Sequence, residues 1–181
     1  MKNNFLTICL LGPIPKGDNI RSDWVDWKPR YKDQLSKLKN IKFTDGDVWR
    51  DETQPMELVG HDISMIKSSD IIIVNGESKL GAGTSQEIVI AKYFSKPVII
   101  VLPKNTHHRK TDITFDNVKI NDWIHPFILF FSDLIVENLD ESSEWINQFK
   151  NKPKSITIKD ISIIDKVVDN YINKYDYNRK R

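Results

Sequence analysis

The sequence predicts an open three-layer α/β domain, a parallel sheet of about five strands with helices on both faces. Three observations predict it. Strand and helix candidates alternate about five times along the 181 residues. Two short runs, Ile71-Ile72-Ile73-Val74 and PVIIVL at 97–102, are continuously apolar, as strands covered on both faces are. The stretches between such runs carry apolar residues at spacings of three and four, the mark of helices with one buried stripe. A mass of 21.1 kDa suits a single domain, 1–181, ending in a basic helical segment at 155–181.

Each element has a local reason. Phe5 to Leu11, FLTICLL, is an apolar run stopped by Gly12-Pro13 and reads as a buried strand. Trp24, Trp27, Tyr31, Leu35 and Leu38 share one helical stripe, with Pro29 inside it, so the regular helix starts or kinks there. Ile41 to Phe43 is a weaker strand candidate. Gln54 to Ile66 places Met56, Val59, Ile63 and Ile66 on one helical face. Asp70 opens the first central strand, and Asn75 to Gly83 is a polar loop. A helix over Thr84 to Phe94 leads to the second central strand at Pro97 to Leu102. Pro103 to Asn121 is polar, with a small irregular strand expected at Phe115 to Ile120. Asp122 to Phe130 reads as a short helix and Leu134 to Val136 as the last strand. Glu141 to Phe149 and Asp160 to Tyr175 read as terminal helices.

Composition removes several classes. With 39% hydrophobic and 29% charged residues, and only 7 glycines, the chain is neither fibrous nor disordered. The single Cys9 excludes a disulfide framework and a four-cysteine metal site, and its apolar surroundings predict a buried thiol. The apolar stretch after Met1-Lys2-Asn3-Asn4 is too short for a secretory core, and no later run is long enough to span a membrane, so a cytoplasmic protein is expected. The formal net charge is +2, with an excess of basic residues beyond Lys150. That tail also has helical amphipathic spacing, which favours a solvated face over a nucleic-acid contact.

Open parallel sheets bind ligands beyond the carboxyl ends of their strands, here Gly12-Pro13, Asn75 to Gly83 and Pro103 to Arg109. The most informative stretch is Gly81-Ala82-Gly83-Thr84-Ser85-Gln86-Glu87, whose glycines permit a tight turn and close approach to a ligand. Thr84 and Glu87 have two readings. In one they form a capping box, the hydroxyl and the carboxylate each bonding a free backbone amide. In the other, Glu87 lies in the first helical turn, kept ionised by the helix terminus, and attacks an anomeric carbon as a nucleophile. The pattern fits neither GxGxxG nor GxxxxGK[ST].

Other polar residues are weaker signals. Asp62 reads as a solvated helix position, and Asp70 as a strand-start residue bonding nearby backbone. His107, His108 and Arg109 are candidates for a 5′-phosphate, with Arg109 offering a planar pair of donors. An adjacent His pair without a carboxylate at ligand spacing does not predict a metal site, even were His125 to join it, and no cofactor is called for. Trp24 and Trp27 read as helix packing ahead of base stacking, with Arg21 beside them within reach of a phosphate. Ser78 and Lys79 lie in the glycine loop.

Three stretches, LLGPIP at 10–15, HDISMIKSSDIIIVN at 61–75 and GAGTSQEIVIAKYFSKPVIIV at 81–101, resemble the nucleoside 2-deoxyribosyltransferases and related nucleotide N-glycoside hydrolases. They are spread over about half the chain, in that family's order. The resemblance implies a flavodoxin-like sheet, Glu87 as nucleophile, Asp62 near the bound base and a homo-oligomer whose neighbours complete each other's sites. The Asp122 to Phe130 segment is the expected contact. Gly81 departs from the pattern, standing where the transferases usually carry an aspartate and the hydrolases a phosphate-contacting serine. The expected reaction is cleavage of the N-glycosidic bond of a nucleoside 5′-monophosphate through a glycosyl intermediate on Glu87. Base exchange, and a non-catalytic nucleotide-binding module, are the alternatives. Substrate-binding candidates are Gly12, Pro13, Arg21, Ser78, Lys79, Gly81, Gly83, Thr84, His107, His108 and Arg109.

Overall fold

The computed structural model describes residues 5–46 and 51–175. The opening Met1 to Asn4 and the last six residues of the basic tail lie outside the described residues. In chain order the elements are β1 (Leu6–Leu11), α1 (Asp18–Arg21), α2 (Lys28–Ser36), β2 (Ile41–Asp45), α3 (Pro55–Ser68), β3 (Ile71–Asn75), α4 (Ala82–Tyr93) and β4 (Val98–Val101). Four small strands follow, β5 (Arg109–Lys110), β6 (Ile113–Phe115), β7 (Val118–Ile120) and β8 (Trp123–Ile124). Then come α5 (Pro126–Phe131), β9 (Leu134–Val136), α6 (Asp140–Asn151) and α7 (Ile163–Tyr175).

The main sheet has five parallel strands in the order β2-β1-β3-β4-β9. Without the small strands this is the 2-1-3-4-5 order of flavodoxin-like folds. Alternation along β3 shows why the run is continuously apolar. Ile71 and Ile73 face the layer holding Tyr31, Leu35 and Ile146 of α2 and α6. Ile72 and Val74 face Met65, Ile66, Ile88 and Ala91 of α3 and α4. All four strand residues are fully buried, each contributing roughly 1.5–3 kcal/mol of apolar burial. Cys9 is fully buried in the same core.

At one place the structure meets the sequence expectation, and at another it departs from it. Helix α2 begins beside Pro29, which suits a first turn because it lacks the amide a helix interior needs. The polar stretch after β4 folds as two antiparallel ribbons, β5 with β8 and β6 with β7, where a single irregular strand was expected. Strands of two or three residues leave no periodic signal. Among the described residues no helix is long and apolar enough to cross a membrane.

Helix α4, which carries Glu87, is anchored at its far end. Lys92 is fully buried, donating to the Asp133 carboxylate and, at 2.9 Å, to the Lys96 carbonyl. Asp133 also accepts the Val98 and Lys159 amides, at 2.7 and 2.8 Å. A charge so buried is tolerated because each group is paired and hydrogen-bonded.

Candidate active site

A cavity of about 720 Å³ opens beyond the carboxyl ends of β1 and β3. Here the strand order reverses direction, leaving the crevice typical of open α/β sheets. The loop after β1 can enter because Gly12 has no side chain. A Cβ there would lie 2.6 Å from a ring carbon of Trp27 and 3.0 Å from the Asn75 Cβ. The loop is tied on two sides: Trp27 Nε1 donates to the Pro13 carbonyl at 3.1 Å, and Thr84 Oγ1 to the Gly12 carbonyl at 3.3 Å. Asn75 ends β3 almost wholly buried and accepts the Glu77 amide at 3.0 Å, turning the chain towards α4. The Glu77 carboxylate is held in turn by Arg30.

Glu87 and Asp62, on neighbouring helices, both line the cavity. No capping box forms. Helix α4 starts two residues earlier than expected, its N-cap is Gly81 with no side-chain cap bond, and Thr84 is spent on the β1 loop. Glu87 therefore stands in the second turn, its carboxylate left for the cavity. Its expected ionisation is also corrected. Burial, then the Asp62 charge, pushes its pKa up to about 7, with Lys16 pulling the other way. The helix terminus acts only within about the first turn, so desolvation and a like charge win. Asp62 Oδ1 lies 3.0 Å from His61 Nδ1, and Gly46 leaves it room: a Cβ there would come within 3.2 Å of that oxygen.

The remaining candidates divide cleanly. Gly12, Pro13, Ser78, Lys79, Gly81, Gly83 and Thr84 line this cavity. Arg21 is not among the lining residues; its guanidinium carbon lies 5.4 Å from the centre of the Trp24 ring, which is. His107, His108 and Arg109 do not line it. Arg109 is buried, with Nε and Nη2 donating to the Asp122 carboxylate at 2.8 and 2.7 Å and Nη1 to the Leu102 carbonyl at 3.0 Å. His108 Nε2 accepts the Leu80 amide at 3.0 Å, and His107 lies edge-on against it. Asp70 accepts the Thr7 amide at 2.7 Å, a strand-start bond. Cys9 has its thiol pushed up to about 12, chiefly by burial, and is inert at neutral pH.

Of the lining residues, the sequence did not single out Lys16, and it pointed to Asn75 and Glu77 only as part of the loop 75–83. The usable signal was position: each stands at or just past the end of a strand or its Gly-Pro stop. Trp24 and Trp27 line the cavity while also packing, so both readings of them describe one arrangement. Among the described residues no group of three or more His, Cys, Asp or Glu is placed to hold a metal ion.

Fold and site together define an open α/β domain of flavodoxin-like order with a two-carboxylate cavity at its switch point. No family model matches the sequence, and no curated protein does. Solved structures do resemble it in chain path. A 2-deoxyribosyltransferase from the psychrotolerant bacterium Bacillus psychrosaccharolyticus aligns over 76% of this chain and 90% of its own, at 14% identity and a TM-score of 0.49. A 2-deoxyribosyltransferase from Leishmania mexicana aligns over 77% and 95%, at 13% identity and a TM-score of 0.49. The CMP N-glycosidase of Clostridium botulinum aligns over 78% and 98%, at 16% identity and a TM-score of 0.42.

Proposed function

We propose that this chain is an enzyme that breaks the N-glycosidic bond of a nucleoside 5′-monophosphate, with Glu87 as nucleophile. The observation that carries the reading is the uncommitted Glu87 carboxylate lining an open cavity together with Asp62 of the neighbouring helix, free of the helix cap that would have explained it otherwise. A carboxylate at an anomeric carbon forms a glycosyl ester: the Oε–C1′ bond is made, the C1′–N bond breaks, and the electron pair leaves with the base. Asp62, on the neighbouring helix, is the candidate to read the base, whose departing nitrogen takes its proton from water admitted to the open cavity. Water then cleaves the ester and returns Glu87. The motif resemblance at 81–101 supports the same roles.

Lys79 lines the cavity and is the cation available to a 5′-phosphate, in place of His107, His108 and Arg109, which do not line it. Lys16 lines it too, but its ammonium is paired with Glu52 at 2.6 Å. Hydrolysis is favoured over exchange because the site is open to water and Gly81 brings no acidic group to manage an incoming base. A Cβ at Gly81 or Gly83 would meet nothing within 4 Å. A homo-oligomer with the Asp122 to Phe130 segment at its contact remains part of the proposal.

The test incubates the protein with nucleosides and their 5′-monophosphates, with and without a second free base, and follows released and exchanged bases by chromatography. Release from a monophosphate is expected, with Glu87→Ala lowering kcat by about 10² or more. Equal turnover by the two proteins removes Glu87 from the chemistry, and exchange outrunning release converts the hydrolase into a transferase. Ligand binding without turnover in either protein identifies a nucleotide-binding module.

A further inference from the structure

The wall of the cavity between β3 and α4 is thinly held. Gly76 is fixed by its amide bond to the Val101 carbonyl at 2.9 Å, where a Cβ would lie 2.9 Å from that same oxygen. Ser78, Lys79 and Gly81 then face the cavity, while Leu80 turns inward, 6% exposed. The Leu80 amide donates to His108 Nε2 at 3.0 Å, a bond spanning 28 residues of sequence. The His108 ring also borders a second cavity of about 240 Å³, lined by Leu80, Ser85 and His125 among others. Close packing alone therefore does not fix the ring against the wall.

We propose that His108 is a positioning residue, holding the cavity wall at 78–81 in register through the Leu80 amide. The proposal rests on the proposed function only in saying what that wall contacts. His108 is itself held: its carbonyl accepts the His125 amide at 2.9 Å, and the next residue, Arg109, is clamped to Asp122 and Leu102. The β5–β8 ribbon thus forms a bracket that carries the imidazole. Accepting at Nε2 requires a neutral ring with its proton on Nδ1. Burial, followed by the charges of His107, His125 and Lys79, keeps His108 down to about 4, so the acceptor persists through neutral pH. The sequence placed the His pair at the substrate; the geometry places His108 one layer behind it.

The experiment reads the Leu80 amide directly, by hydrogen exchange resolved to single residues, and needs no turnover. His108→Phe keeps the ring size and removes the acceptor, and should speed Leu80 exchange by about tenfold or more. His108→Gln returns an acceptor at similar reach and should restore protection. In steady-state assays the Phe variant should raise KM about tenfold with kcat within about threefold, since the wall binds while Glu87 sits on an anchored helix. General destabilisation would lower the active fraction and leave KM unmoved. Should His108→Phe fail to fold, His108→Asn, too short to reach Leu80, replaces it. Unchanged Leu80 exchange in the Phe or Asn variant, or equal loss in the Gln variant, overturns the proposal whatever reaction the cavity performs.

Discussion

Two polar regions lie beyond the same edge of the sheet and use their charges differently. Around the large cavity, Glu87, Asp62 and Lys79 face open space, and Lys79 has no hydrogen bond or ion pair with a described residue. In the ribbons after β4, Arg109 spends its donors on Asp122 and Leu102, and His108 spends its acceptor on Leu80. Residue type and distance from a strand end do not separate the two. What separates them is whether the protein itself has already satisfied the group. A satisfied cation holds a loop; an unsatisfied one is left for a ligand.

A pair of truncations puts the largest strain on that contrast. Arg109→Ala should cost about 1–3 kcal/mol in urea unfolding, because Asp122 and the Leu102 carbonyl lose their partner in a half-buried setting. Lys79→Ala should leave the unfolding midpoint almost unmoved and weaken binding of a monophosphate roughly tenfold relative to the parent nucleoside. Titration calorimetry with both ligands measures the second effect. A stable Arg109→Ala that loses phosphate affinity would reverse the assignment of the two regions.

The same contrast explains what was legible beforehand. The strands β3 and β4 were readable because burial on both faces writes an uninterrupted apolar run into Ile71 to Val74 and Val98 to Val101. The edge position of the glycine loop, with Glu87 and Asp62 beside it, followed from strand ends and from the motif resemblance. The helix start did not. Thr84 and Glu87 have capping-box spacing, but Thr84 is drawn to Gly12, 72 residues away, and no local pattern records that competition. Asp122 is likewise invisible as the partner of Arg109, since it lies 13 positions further on, across turn and ribbon. The Glu87 ionisation depends first on burial and then on Asp62 from another helix, so a rule about its own helix gave the wrong sign.

Ionisation of Glu87 offers a sharper test of how the cavity side differs. Its folded pKa, about 7, stands above the ordinary 4.5, so the folded state binds the proton more tightly than the unfolded chain. That contribution is fully present below the unfolded value and is lost as pH rises from about 4.5 through 7. Glu87→Gln removes the titration, and should therefore be more stable than wild type at pH 8 by roughly 1–3 kcal/mol and nearly equal to it near pH 4. Urea unfolding at the two pH values reads the difference. In the wild type, base release should rise with pH through about 7 as the nucleophile ionises. A Gln variant whose advantage grows towards acid pH would show that Glu87 is stabilised as the anion.

The smallest effect separates glycines the chain needs from glycines the cavity needs. Gly12 is required by packing: an added Cβ falls 2.6 Å from the Trp27 ring and 3.0 Å from the Asn75 Cβ, and both residues are buried. Gly12→Ala should destabilise by about 1–3 kcal/mol, the cost of overpacking. Gly83 lies in the first turn of α4, and a Cβ there meets nothing within 4 Å. Gly83→Ala should stabilise by roughly 0.4–1 kcal/mol, because alanine loses less backbone entropy on entering a helix. Gly83 also lines the cavity, so the stabilised variant should bind a monophosphate more weakly if its amide is where the ligand comes close. Thermal unfolding of Gly83→Ala alongside calorimetric titration decides the matter: greater stability with unchanged affinity would mean that the ligand does not approach this turn, and that Gly83 answers to neither packing nor binding.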